Sequence, residues 1–129
     1  MKNLIIIVVI GMSMMACTMA SRHQQADHIK LVKDYVSAVE NLDYKAMEQF
    51  LDDNYLGLGP SFGDSISKIE AIENWQLNVK YLYESIKYNR SRFASVNIPN
   101  GENKGNWIAN LAELHIVYQN GAGDATIWA

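Results

Sequence analysis

Cysteine is nearly absent. The 129 residues hold one, Cys17, so no disulfide can form within the chain and the fold must rest on its core. A basic patch or stripe is also missing: 14 acids and 11 bases are interspersed, the formal net charge is -3, and nucleic acid is an unfavoured partner. The apolar run Leu4 to Ile10 ("LIIIVVI") is too short to span a bilayer. Repeats and low-complexity segments are lacking as well. His23 and His28 do not share one helix face, so no metal site and no cofactor are expected. What remains is 49% hydrophobic and 19% charged, the composition of one globular domain with one core.

The N-terminal end has its own pattern. Lys2 supplies a positive start, the apolar run follows, and "GMSMMA" leads to Cys17 after the small residue Ala16. Residues 1–16 read as a secretory signal. The junction resembles the lipobox of bacterial lipoproteins, with Met14 where that pattern has Leu, Val or Ile. The resemblance implies acylation of Cys17, a tether over 17–26 and a membrane-anchored protein facing the periplasm or cell exterior. The alternative is a soluble secreted protein cut after "TMA", at Ala20.

The rest, 27–129, reads as one α+β domain. "DHIKLVKDYVSAVENLD" places Leu31, Tyr35, Ala38, Val39 and Leu42 on one stripe, the pattern of an amphipathic helix. Asp43 is an N-cap candidate for a second short helix carrying Ala46, Met47, Phe50 and Leu51. "NYLGLGP" is a brief strand ended by Pro60, with "SFGD" as loop. Ser67 and Glu70 form a capping box before a third helix, expected to be the longest, with Ile69, Ile72, Trp75 or Gln76, Val79 and Leu82 or Tyr83 on its buried side. "SIKYNRSRFASVNI" and "NWIANLAELHIVYQ" predict a long antiparallel hairpin across "PNGENKG"; "NGAG" is a second turn before the strand "DATIWA".

This order, with "YVSAVENLDYKAMEQFLDDNY" and "SISKIEAIENW", resembles the nuclear transport factor 2-like superfamily, which includes SnoaL-like cyclases and ketosteroid isomerases. The resemblance covers 27–129. It implies a cone-like α+β barrel: three N-terminal helices packed against a strongly curved antiparallel sheet, enclosing an apolar pocket, with dimerisation through the outer sheet face in many members. Such folds usually continue for one or two further strands, so a chain stopping at Ala129 is expected to be truncated.

Ketosteroid isomerases carry a tyrosine on the first helix and a catalytic aspartate just before a proline. Tyr35 stands at the first position, but Gly59 precedes Pro60 and can move no proton. The resemblance therefore implies a pocket for a small apolar or aromatic molecule without that acid/base chemistry, lined by Tyr35, Tyr55, Trp75, Arg92 and His115. Two alternatives stay open: a cyclase, isomerase or dehydratase using His115 with Glu113 or residues beyond the chain end, and an interaction or homodimerisation module. Period-two alternation puts Arg90 and Arg92 on one strand face, and Glu113 with His115 on another. They either form cross-strand ion pairs or converge in the pocket; the more apolar face, Ala112, Leu114, Ile116 and Tyr118, is expected to meet the helix. Tyr81, Tyr83, Trp107 and Trp128 complete an aromatic set able to stack on a flat ligand or fill a core. Asp52 and Asp53, side by side on a helix, would point about 100° apart and are expected to be solvated.

Overall fold

A computed structural model describes residues 23–59, 61 and 63–129. The signal segment, Cys17 and Pro60 lie outside the described residues. Helix α1 covers 23–40, so residues 23–26, expected as tether, are helical, and α1 rather than the third helix is the longest of those described. Its end is a sharp left-handed turn. Leu42 N–H donates to the Val39 carbonyl at 3.0 Å and Asp43 N–H to Ala38 at 3.0 Å, with Leu42 at φ 54°. This bond pair satisfies two orphan helix carbonyls, a position usually given to glycine. Leucine holds it because its side chain packs on the core.

Helix α2, Tyr44–Gln49, starts as its sequence predicts, the Asp43 carboxylate accepting from Ala46 N–H at 3.0 Å. It stops at Gln49, so Asp52 and Asp53 lie beyond it in an exposed turn. Strand β1, Leu56–Leu58, pairs antiparallel with β2, Ser65–Ser67, a strand that follows the "SFGD" loop and is not expected from the sequence. Helix α3, Lys68–Tyr81, then opens on a complete capping box: Glu70 N–H donates to Ser67 Oγ and the Glu70 carboxylate accepts from Ser67 N–H. These bonds hold the Glu70 carboxyl below its usual range. Ala71 and Ile72 are buried and Trp75 and Val79 half-buried, whereas Ile69 is 71% exposed. The buried stripe is thus shifted from the expected one at the start of α3, because Ile69 faces solvent beside the exposed Glu70.

Strands β3, Tyr83–Ile98, and β4, Gly105–Tyr118, form the expected long hairpin, and β5, Asp124–Trp128, pairs with β4 to complete a three-stranded sheet. The architecture is therefore mixed α+β with two antiparallel sheets and no closed barrel among the described residues. Between Asn89 and Arg92 the register slips, and Arg90 sits at φ 54°. This is a β-bulge, which bends a strand and breaks its alternation. Before it Ile86 and Tyr88 turn inward; after it Ser91, Phe93 and Ser95 do. Arg90 and Arg92 are both exposed, but an extra residue separates their environments, so simple alternation does not relate them.

The core gathers Ala38, Val39, Met47, Ile86 and Ile116, with Tyr35, Phe50, Trp75, Tyr83, Tyr88, Leu114 and Tyr118 packed around it. The apolar face of β4 does meet the helices. Two polar contacts fix that packing. The Glu40 carboxylate at the end of α1 accepts from Tyr88 N–H at 2.7 Å, on the side of β3 away from β4. The Gln119 amide donates to the carbonyls of Val79 at 3.1 Å and Tyr83 at 3.0 Å, satisfying carbonyls where α3 gives way to β3. Among the described residues, no helix is long and apolar enough to cross a membrane.

Candidate functional site

Two of the expected ligand residues come together. Tyr35 on α1 and Tyr55 before β1 line one open cavity of about 230 Å³ together with Leu31, Val32, Phe50 and Leu51. Each wall has a local cause: the α1 stripe brings Leu31 and Tyr35 to one side, and the tight turn at Leu42 folds α2 back so that Phe50 meets Tyr35 edge-on, centroids 6.3 Å apart. Trp75 on α3 stands behind Tyr35, packed on the core, and is not part of the cavity wall.

The Tyr35 phenol is held neutral. Burial raises the Tyr35 pKa, Tyr55 and Tyr88 add to the rise, and Trp75 as a hydrogen-bond donor opposes it. Burial also raises Tyr88, helped by Glu40 and Tyr83, and raises Tyr83, helped by Tyr118. A phenol above its ordinary pKa is a hydrogen-bond donor at neutral pH and carries no charge. The cavity can therefore hold an apolar body between aromatic walls and offer the neutral Tyr35 hydroxyl as a hydrogen-bond donor.

Arg92 and His115 do not reach this cavity. They lie on the opposite face of the sheet, since Arg92 opposes Leu111 and His115 opposes Lys87, while Ile116, one residue on, is buried in the core. Their neighbours are ordinary: His115 Nε2 sits 3.0 Å from the Asp124 carboxylate, and Glu113 pairs with Arg90 at 3.2 Å. Arg92, Glu113 and His115 share a face but do not converge beside Trp75. A catalytic pair of Glu113 and His115 would act on the outer surface, away from the tyrosines. Tyr81, Trp107 and Trp128 are also exposed, so the aromatic set is divided between core and surface.

The adjacent acids Asp52 and Asp53 are engaged locally. Asp52 accepts from Asn54 N–H at 2.9 Å, and Asp53 pairs with Lys68 at 2.9 Å, which lowers its pKa. No group of three or more His, Cys, Asp or Glu side chains is placed to hold a metal among the described residues.

Sequence reasoning missed Leu31, Val32, Phe50 and Leu51 as cavity walls, because helical periodicity marks an apolar residue as inward without saying whether it meets a neighbour or a void. It also passed over Asp64. Gly59 N–H donates to the Asp64 carbonyl at 2.9 Å, and a Cβ on Gly59 would lie 2.7 Å from Asp64 Cβ. Glycine at 59 is thus needed for the close approach of Asp64. Set against known proteins, the chain matches no family model, no curated protein and no solved structure.

Proposed function

We propose that this is an envelope lipoprotein of nuclear transport factor 2-like architecture, exported and anchored through Cys17, whose cavity binds a small apolar or aromatic molecule without acid/base chemistry. The observation that carries the binding reading is the cavity between Tyr35, Phe50 and Tyr55. Gly59, which can move no proton, favours binding over proton transfer. A hydrophobic ligand set should raise the thermal unfolding midpoint of the full chain, because a ligand selective for the native state stabilises it. A set that gives no shift at saturating concentration overturns the reading. Labelling with a radioactive fatty acid, lost on Cys17→Ser, tests the anchor.

A second reading is an interaction module. It is favoured by Val96, Trp107, Leu111 and Trp128, all exposed on the sheet face away from the helices. Sedimentation showing a monomer at every concentration would remove self-association from consideration.

A further inference from the structure

Tyr55 has a space on each side. The same ring borders a second space of about 370 Å³ along the β1–β2 hairpin, lined by Gly57, Leu58, Gly59, Asp64, Ser65 and Ile66. Gly57 in β1 and Gly59 just past it, whose N–H continues the pairing by donating to the Asp64 carbonyl, face the same way. A Cβ on Gly57 would lie 2.8 Å from the Tyr55 hydroxyl and 2.9 Å from Ile66 Cγ1, and one on Gly59 would lie 3.3 Å from Asp64 Oδ2. One hairpin face thus carries, in order, the Tyr55 hydroxyl and the Ile66 side chain over Gly57, then the Asp64 side chain over Gly59.

The charged groups along these spaces have one sign. Asp64 lines the second, Asp64 and Glu102 border a third of about 650 Å³ that shares Leu58, Gly59 and Ser65 with it, and among the described residues no lysine, arginine or histidine lines any of the three. Five other aspartates are engaged: Asp34 by Lys30, Asp43 by Ala46 N–H, Asp52 by Asn54, Asp53 by Lys68 and Asp124 by His115. The Asp64 side chain has no hydrogen bond or ion pair among the described residues.

We propose that the cleft selects an aromatic or apolar molecule bearing a protonated amine, its body between Tyr35, Phe50 and Tyr55 and its ammonium at Asp64. Aromatic faces attract a cation, and the carboxylate accepts charge-assisted hydrogen bonds from it. An anionic ligand of the same shape is repelled by Asp64 and Glu102. The inference rests on the cavity's being a binding pocket, and it adds the charge of the ligand.

The experiment titrates the full chain at low ionic strength with three probes of one shape: naphthylmethylamine, naphthylmethanol and naphthoate. The amine is expected to bind about 5-fold tighter than the alcohol, as an exposed ion pair and a cation–π contact together allow, with naphthoate weakest. Asp64→Asn should erase the amine's advantage and leave the alcohol's affinity unchanged; Glu102→Gln should reduce the advantage by less. Equal affinity of amine and alcohol, or an advantage that survives Asp64→Asn, overturns this inference and leaves the pocket standing. Binding of none of the three overturns both. Unfolding midpoints of the variants confirm that the fold is retained, and Glu102, in a connecting turn, supplies a second variant should Asp64→Asn disturb the hairpin.

Discussion

The two faces of the three-stranded sheet are both rich in large side chains, yet only one is a core. On the inner face Ile86 and Ile116 are buried and Tyr88, Leu114 and Tyr118 pack around them beneath the helices. On the outer face Arg90–Glu113 and His115–Asp124 pair across strands, and Val96, Trp107, Leu111 and Trp128 stay in solvent. Hydrophobic content alone therefore does not assign a face. What separates the two is continuity: the inner apolar positions of β4 meet the stripe of α1 and the Met47 side of α2, and buried area grows with every element that shares it.

The largest expected break in this contrast comes from deleting a core side chain. Met47→Ala, at a residue with no exposed surface, should lower the unfolding free energy by about 2–5 kcal/mol, whereas Leu111→Ala on the outer face should stay within about 0.5 kcal/mol. Equal losses in denaturant titrations would show that the outer face is covered too. Next in size are the polar ties that seat the inner face. Glu40→Ala and Gln119→Ala should each cost about 1–3 kcal/mol by leaving Tyr88 N–H, or the Val79 and Tyr83 carbonyls, without their partner. Arg90→Ala, which removes an exposed ion pair, is expected to cost about 1 kcal/mol or less in the same assay.

Alkaline titration sharpens the contrast from the side of charge. The folded-state pKa values of Tyr35, Tyr83 and Tyr88 are raised from 10.0, so their contribution to stability is complete below that pH and is lost as pH rises through the folded values. Unfolding midpoints should fall above about pH 10, and Tyr35→Phe should make that fall shallower. The smallest structural change is Gly57→Ala. Its Cβ would press on the Tyr55 hydroxyl at 2.8 Å, so it should weaken binding of apolar probes while costing about 1–3 kcal/mol of stability. Probe affinity that is unchanged would place the ligand away from Tyr55.

Much of this was legible in the chain. The Asp43 cap, the Ser67–Glu70 capping box and the hairpin around "PNGENKG" are local signals, and each appears where its residues predict. The inward face of β4 followed from its alternation. Helical residues 23–26, the short strand β2 and the exposure of Ile69 did not follow, because in each case a neighbour distant in sequence, or the lack of one, outweighs a weak local preference. The bulge at Arg90 is similar: neither glycine nor proline marks it, yet it reverses which residues of β3 look inward.

The site divides in the same way. Sequence periodicity and capping by themselves determined the class of fold, the run of helices and strands, and the placing of Tyr35 on an inward stripe, because those features depend on neighbours within a turn or two along the chain. Only the tertiary structure decided that Tyr55 and Phe50 would face Tyr35 across a cavity, that Arg92 and His115 would stand on the other side of the sheet, and that Asp64 would come over Gly59. Those outcomes depend on strand register and on the turn at Leu42, where one residue's shift moves a side chain from core to solvent.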